Sequence, residues 1–476
     1  MLVELDEEPD APAPHDPAGP GRRWWWVALL VVVGLAMVAA QLVADLRERA
    51  RVAALARVPG VLAPMPAPPR TAWHLHDDTA DLTVVGADLV EERIAADGAM
   101  VLTSRDRETG DERWTVPLLD APAPALPATA ARYGLQCHQG AGVPDRLMCL
   151  THDATAVRRA DGQAADYSTA TSAPATSAQL VVVGAPDGRV VARYPAGSAG
   201  TVAAAAAVVG DGVVLAAPLD DGTTAWELDP VTGAERWRVH ADTGFGGGWL
   251  RWGAEVRVVP VGDGTVAVLG AGVALLDADD GATVASAGTL ATVLGAQADG
   301  SALVVGSEGY TRLVAPAGDV RLDGAPVDVS IDDGSAPGLT LTTSGGLQAW
   351  DASTGDLRWR STTIVSVWEA LVVAGRVHVH DGYQVTTFDA RTGEVLWHVS
   401  APDLFPEGTA VTRLATDGAQ LLVAGADTAA SQAALVALDP ADGVPHWEAE
   451  LPGMTSVVSF EGVLLGRTPE DIVVLR

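Results

Sequence analysis

From Thr71 to the C-terminus the apolar residues come in short valine-rich runs, each cut by an Asp-Gly turn. GDGVVLAA, GDGTVAVLG, DGSALVVGS and DGAQLLVAG are examples. Runs of about four to eight such residues, bounded by turn residues, predict strands joined by hairpins. No amphipathic helix interrupts them. Residues 71–476 therefore read as one all-β domain.

The N-terminus has a different pattern. Residues 1–21 are acidic and rich in Pro and Ala, with little to bury, and predict a disordered tail on the cytoplasmic side. Residues 22–44 follow as a predicted transmembrane helix, in which the run Trp24–Val43 carries no charge over 20 residues. As a helix that run spans roughly 30 Å, the thickness of a bilayer core. Trp24, Trp25 and Trp26 suit the head-group boundary. A cleaved signal peptide ending near Val38-Ala39-Ala40 is the alternative, although its apolar region would be unusually long. Arg22-Arg23 lacks the rest of a twin-arginine signal, and no lipobox cysteine follows. Residues 45–70 read as a short helical stalk and a linker, VPGVLAPMPAPPR, whose five prolines predict an extended spacer.

Within the β-region one phrase recurs, Asp-x-x-Thr-Gly-x-x-x-Trp. It stands at Asp106, Gly110 and Trp114; at Asp229, Gly233 and Trp237; at Asp351, Gly355 and Trp359; and at Asp389, Gly393 and Trp397. The copy at Asp439, Gly443 and Trp447 replaces Thr by Asp442, and the copy at Gly281 ends on Ala285. Weaker copies surround Gly188 and Gly318, ending on Ala192 and Leu322. The glycines are spaced by 78, 45, 48, 37, 37, 38 and 50 residues. All but the first interval fit a four-stranded unit of about 40–45 residues. Each unit needs a tight outer turn, and glycine supplies positive φ there. Asp and Thr side chains accept backbone hydrogen bonds within such turns. The tryptophan, on the outermost strand, can wedge against the next unit and donate its indole N–H to that unit's backbone. Units that cannot bury both sheet faces alone must stack, and radial stacking closes a ring.

These motifs resemble the PQQ-like, or quinoprotein-like, β-propeller repeat family, over residues 71–476. The resemblance implies a propeller of eight four-stranded blades, within one blade, behind the N-terminal helix. After Trp447 the chain offers three strands and no fourth. Trp73, in TAWHLH, resembles an outer docking strand without its inner partners. The two termini are expected to complete one blade together. Membrane-anchored exported proteins of this kind are similar to the propeller subunit of the outer-membrane-barrel assembly machinery. That similarity implies a non-catalytic, protein-binding scaffold in the cell envelope with a protein partner. The family's other branch implies a quinoprotein oxidoreductase or a small-ligand binder, with pyrroloquinoline quinone in the central funnel. That branch often carries a vicinal disulfide against the cofactor, and sometimes a haem domain; this chain has neither, so no cofactor is expected.

Charge narrows the partners. The formal net charge is −31, and every one of the 30 cations is arginine. Such a field repels phosphate backbones, so nucleic acid is not an expected partner. Cys137 and Cys149 are the only cysteines and lie a hairpin's distance apart. In an exported chain they are expected to pair. Counting arginines on either side of the apolar run favours a cytoplasmic C-terminus. The cysteines and the resemblance favour the opposite topology, N-terminus in and propeller out, which is the expectation adopted. His74 with His76, and His378 with His380 before Asp381, alternate as on an exposed strand rather than as ligands of a metal. Asp277–Gly281 resembles the start of a calcium loop but keeps the blade-turn register. GFGGGW at 244–249 reads as a mobile loop rather than a phosphate cradle. No catalytic constellation is found, and no metal site.

Overall fold

The computed structural model describes residues 29–39 and 41–42. It also describes 51–476 apart from 53, 77–78, 95–98, 120–129, 133–134, 141, 154, 158–174, 199–200, 220, 244–255, 262–263, 271, 288–291, 298–301, 308, 316–317, 362, 364–365, 428–431 and 470. The loop at 244–249 lies outside the described residues. Two compact units divide the chain, Met1–Ala54 and Leu55–Arg476.

In the first unit residues 29–39 are helical, with exposed side chains such as Leu30, Leu35 and Met37. Among the described residues no helix is long and apolar enough to cross a membrane. Trp24–Ala28, Ala40 and Val43 of the expected span lie outside them.

The second unit is a propeller of nine blades: blade 1, 79–119; blade 2, 135–195; blade 3, 205–241; blade 4, 257–287; blade 5, 292–323; blade 6, 325–360; blade 7, 369–400; blade 8, 410–452; blade 9, 456–475 with 71–74. Apart from a parallel strand added to blade 7, each is an antiparallel meander counted outward from its first strand, and in most successive pairs the first strands pack beside one another. Inner strands are buried on both faces, as in Glu369–Val373, which explains the unbroken apolar runs. Outer strands alternate, as in Glu235–Ala241, where Trp237 points inward between exposed neighbours.

The count is nine, at the upper bound of the expected eight within one. The weak copies at Gly188 and Gly318 each close a real outer hairpin, and the composite blade comes in addition. That blade seats Thr71–His74 antiparallel on Ile472–Leu475, with Trp73 opposite Val474. The segment 325–332 serves both blades 6 and 7. After Ala325–Pro326 pairs in blade 6, Val329–Asp332 crosses over to run parallel to Glu369–Val373, giving blade 7 five strands.

The proline-rich segment is not a free spacer, and the compact unit begins at Leu55 rather than near Thr71. Leu55 and Val61 are buried with Ile331 and Leu371, and Leu62 and Met65 with residues of blades 8 and 9. The Leu62 N–H donates to Thr416 O at 2.8 Å and the Met65 N–H to Asp417 Oδ2 at 2.8 Å. Prolines removed the segment's own ladder donors; apolar residues between them supplied the anchor.

Candidate functional site

The recurrent hairpin is the best-defined constellation in the molecule. In every copy except the one at Gly318, the glycine N–H donates to the carbonyl four residues back, at 2.8–2.9 Å. The Oδ1 atoms of Asp106, Asp229, Asp351 and Asp389 each accept the two backbone N–H groups at positions +2 and +3, and those of Asp277 and Asp439 the one at +2. The Thr109, Thr232, Thr354 and Thr392 hydroxyls accept from the residue two further on. Where aspartate stands in that place, at Asp187, Asp280 and Asp442, its carboxylate accepts the same bond. One oxygen at one position is what the turn requires.

A feature missed in the sequence is the arginine immediately before three of the tryptophans. Arg113, Arg236 and Arg358 reach back to Asp106, Asp229 and Asp351 at 2.6, 3.0 and 2.8 Å. The Thr109 N–H and then the Arg113 guanidinium hold the Asp106 carboxyl down at about 2. The Thr232 N–H and then Arg236 do the same for Asp229, also to about 2. The repeated R-W dipeptide was the available signal.

The tryptophans reach the next blade. Indole Nε1 of Trp114, Trp237, Trp359 and Trp397 donates to the carbonyls of Ala185, Ala278, Ala390 and Pro440 at 3.0, 2.8, 2.8 and 3.1 Å. Each acceptor stands one residue past the first position of the next motif. The rings lie against the next motif's glycine. A Cβ on Gly188, Gly281 or Gly393 would come within 2.6 Å of Trp114, Trp237 or Trp359, and one on Gly443 within 2.7 Å of Trp397. These glycines are thus required twice, by positive φ and by the neighbouring indole. Trp73 lies in the same way against Gly110, closing the ring, although its buried Nε1 finds no acceptor. Trp447 faces blade 9, which has no such turn, and donates instead to Met65 O at 3.1 Å.

The copies without tryptophan differ among themselves. Ala192 does not leave an open seam, because Tyr194, two residues on and on the same strand face, lies against Gly233. Its hydroxyl donates to Val231 O at 2.7 Å. Beside Gly355 stand the aliphatic side chains of Val320 and, farther off, Leu322 in place of a ring, and among the described residues nothing comes within 4 Å of a Cβ on Gly318.

Cys137 and Cys149 are direct cross-strand partners in blade 2 and form a disulfide, buried between blades 1 and 2. The histidines of VHVH do not lie on an exposed strand: His378 and His380 are 2% and 1% exposed. Arg376–His380 is a second strand, covered on both faces, so alternation there separates two interiors rather than core from solvent. Burial pushes His378 down to about 3, and its Nδ1 meets Thr387 Oγ1 at 2.8 Å. His380 Nε2 lies 3.7 Å from Glu369 Oε2, and the same carboxylate oxygen accepts the Leu414 N–H at 2.9 Å. At the ring closure His74 faces Asp471 at 3.5 Å, while His76 and Arg105 both bond Glu91. Glu92, also buried, is raised to about 8 by burial and then by Asp81. Asp277 forms a blade turn. Among the described residues no group of three or more His, Cys, Asp or Glu side chains could hold a metal ion.

Residues 322–468, which hold blades 6 to 8 and most of the C-terminal part of blade 9, match the family model described as outer membrane protein assembly factor BamB. A stretch of 123 residues is 29% identical to the serine/threonine-protein kinase AfsK of Streptomyces griseus, covering 24% of this chain and 14% of the kinase; the chain thus matches only a small part of that relative's length. Among solved structures, BamB from Moraxella catarrhalis is 16% identical at a TM-score of 0.42, over 85% of this chain and 97% of that one. The quinohemoprotein alcohol dehydrogenase ADHIIG from Pseudomonas putida HK5 is 12% identical at 0.42, over 86% and 76%. At those scores the two structures add nothing to the blade geometry above. The chain is a β-propeller whose blades are locked by one repeated hairpin, and residues 322–468 of it match the assembly-factor family model.

Proposed function

We propose that the chain is a non-catalytic protein-binding scaffold of the cell envelope, anchored by Trp24–Val43, with its N-terminus cytoplasmic and the propeller outside. The observation that carries this reading is the match of residues 322–468 to a family described as an assembly factor. The disulfide agrees with an oxidising compartment. The motif residues support it indirectly, since Asp, Gly and Trp are occupied in turns and seams rather than aimed at a substrate.

This reading places no quinone in the central funnel, and the two cysteines support it. The cysteines are not adjacent, and their disulfide is buried between blades rather than offered to a ligand. Reconstitution with pyrroloquinoline quinone and Ca²⁺ tests this: dye reduction with alcohols or sugars would defeat the scaffold reading. A pull-down of the full chain from detergent-solubilised membranes should recover a stoichiometric envelope protein. For topology, a reporter fluorescent only in the cytoplasm and fused after Arg476 should stay dark; bright cells would overturn the external placement.

A further inference from the structure

In each meander the start of the first strand, the turn between the second and third, and the end of the fourth lie at one end of the blade. The docking turns lie at the other. At the loop end of blade 7 stand Trp368, 60% exposed, and Tyr383, 78% exposed. They are the only aromatic side chains among the large exposed apolar residues described. Soluble surfaces rarely leave such groups bare, and Trp and Tyr dominate the energetics of protein interfaces.

The two belong to one surface. The Trp368 ring lies 3.2 Å from where a Cβ of Gly382 would be, next to Tyr383. The Ala401 N–H donates to Tyr383 O at 2.6 Å and the Val411 N–H to Gly382 O at 2.9 Å. These bonds tie the aromatic turn to the short helix Ala401–Leu404 that leads into blade 8. Beyond the helix opens a pocket of about 480 Å³ with an apolar floor that includes Phe405, Ala434 and Val436, and with Glu448 and Glu450 on its wall. Both glutamates are exposed, and neither pairs with a cation among the described residues. Asp403 and Glu407 lie on the same connection, which has no arginine or histidine from Ser400 to Thr412. The next cation along the chain is Arg413, whose charge acts on Asp328 and Glu369.

We propose that this strip is a docking surface for a partner segment carrying both apolar and basic side chains. An aliphatic or aromatic anchor packs on Trp368 and Tyr383, and an arginine enters the pocket toward Glu448 and Glu450. Charge selects the occupant. The strip joins an apolar platform to unpaired carboxylates, and a guanidinium has an apolar stem for the floor and a planar fork for carboxylate. An acidic or purely apolar segment leaves the glutamates unpaired. The proposal rests on the scaffold reading and names where that scaffold is read.

The test uses the exported propeller and fluorescently labelled synthetic peptides of alternating Leu and Arg, with a Leu and Glu counterpart, followed by anisotropy. The Leu–Arg peptide should bind. Trp368→Ala with Tyr383→Ala should weaken it about tenfold or more. Glu448→Gln with Glu450→Gln should weaken it and flatten its salt dependence. A charge-matched control at the docking-turn end, Asp356→Asn with Glu394→Gln, should bind as wild type. All these side chains are exposed, and thermal melts check that each variant folds. Equal binding of the Leu–Glu peptide, wild-type binding by both strip variants, or an equal loss in the control would overturn the proposal. The peptide assay needs no native partner. If it fails while the membrane pull-down still recovers an envelope protein, only this surface is lost; if the pull-down fails and the peptide still binds at the strip, the envelope role is lost instead.

Discussion

Trp359 of blade 6 lies against Gly393 of blade 7, its indole N–H 2.8 Å from the Ala390 carbonyl. The contact joins two copies of one motif, each contributing a different half: the tryptophan of one, the glycine turn of the next. Trp→Ala at 359 or 397 removes a buried aromatic and orphans a carbonyl. The expected loss is roughly 3–5 kcal/mol. Gly393→Ala should cost more than an ordinary turn glycine, because the added carbon meets the Trp359 ring as well as an unfavourable φ of 71°. Chemical unfolding of the propeller measures both, and midpoints equal to wild type would remove the docking role from these residues.

Tyr194 should behave as a docking residue although it lies outside the motif. Tyr194→Ala is expected to destabilise the blade 2–3 seam by an amount comparable to a tryptophan deletion. Tyr194→Phe should lose only the hydrogen bond to Val231, about 0.5–1.5 kcal/mol. If Tyr194→Ala unfolds like wild type, that seam is held by something other than this ring. By the same reasoning the seams at Gly318 and Gly355 should open first, which hydrogen exchange would show as faster exchange in blade 5 than in blades 6 to 8.

The pH dependence of stability has a definite sign at Glu92. Burial, then Asp81, raises its folded-state pKa to about 8, against an ordinary value of 4.5. The folded state therefore holds a proton that the unfolded chain releases. The contribution is complete below about pH 4.5 and is lost as pH climbs through 8. Glu92→Gln should melt above wild type at about pH 9, with the difference closing toward pH 5. A difference independent of pH would mean that Glu92 does not titrate in this range.

Reduction of Cys137–Cys149 should lower stability without abolishing the fold. The bond closes a short loop, with a sequence separation of 12, for which chain entropy gives roughly 2–4 kcal/mol. Unfolding with and without reductant, and Cys137→Ala with Cys149→Ala, should agree on that figure. Thiol labelling of chain taken from cells without reductant should find neither cysteine; free thiols would contradict an oxidising compartment.

The all-β class, the hairpin chemistry and the identity of most docking residues were legible in the chain, because they rest on local rules. A tight turn needs glycine and a side-chain oxygen, and an outer strand alternates. The nine-blade count was also latent there, in eight turns and one split blade, but the weak copies at Gly188 and Gly318 differ from the rest in the residues by which the motif is recognised. Substitution of Thr by Asp442 or Asp280 changes the letters and leaves the accepted hydrogen bond in place.

Beyond the docking of the motif tryptophans, contacts between blades were not legible, because they pair positions far apart in sequence. That Met65 receives the Trp447 indole joins residues 382 apart. It follows from ring closure: blade 9 lacks a docking turn, and the segment before Thr71 offers the carbonyl in its place. Tyr194 replaces a tryptophan because strand period two returns its side chain to the same seam. His378 and His380 looked solvent-facing because alternation marks a change of face, and only packing decides whether either face meets water. The sequence by itself determined the repeating unit; the tertiary structure decided which side chains, proline segment included, fill the space where one unit meets the next.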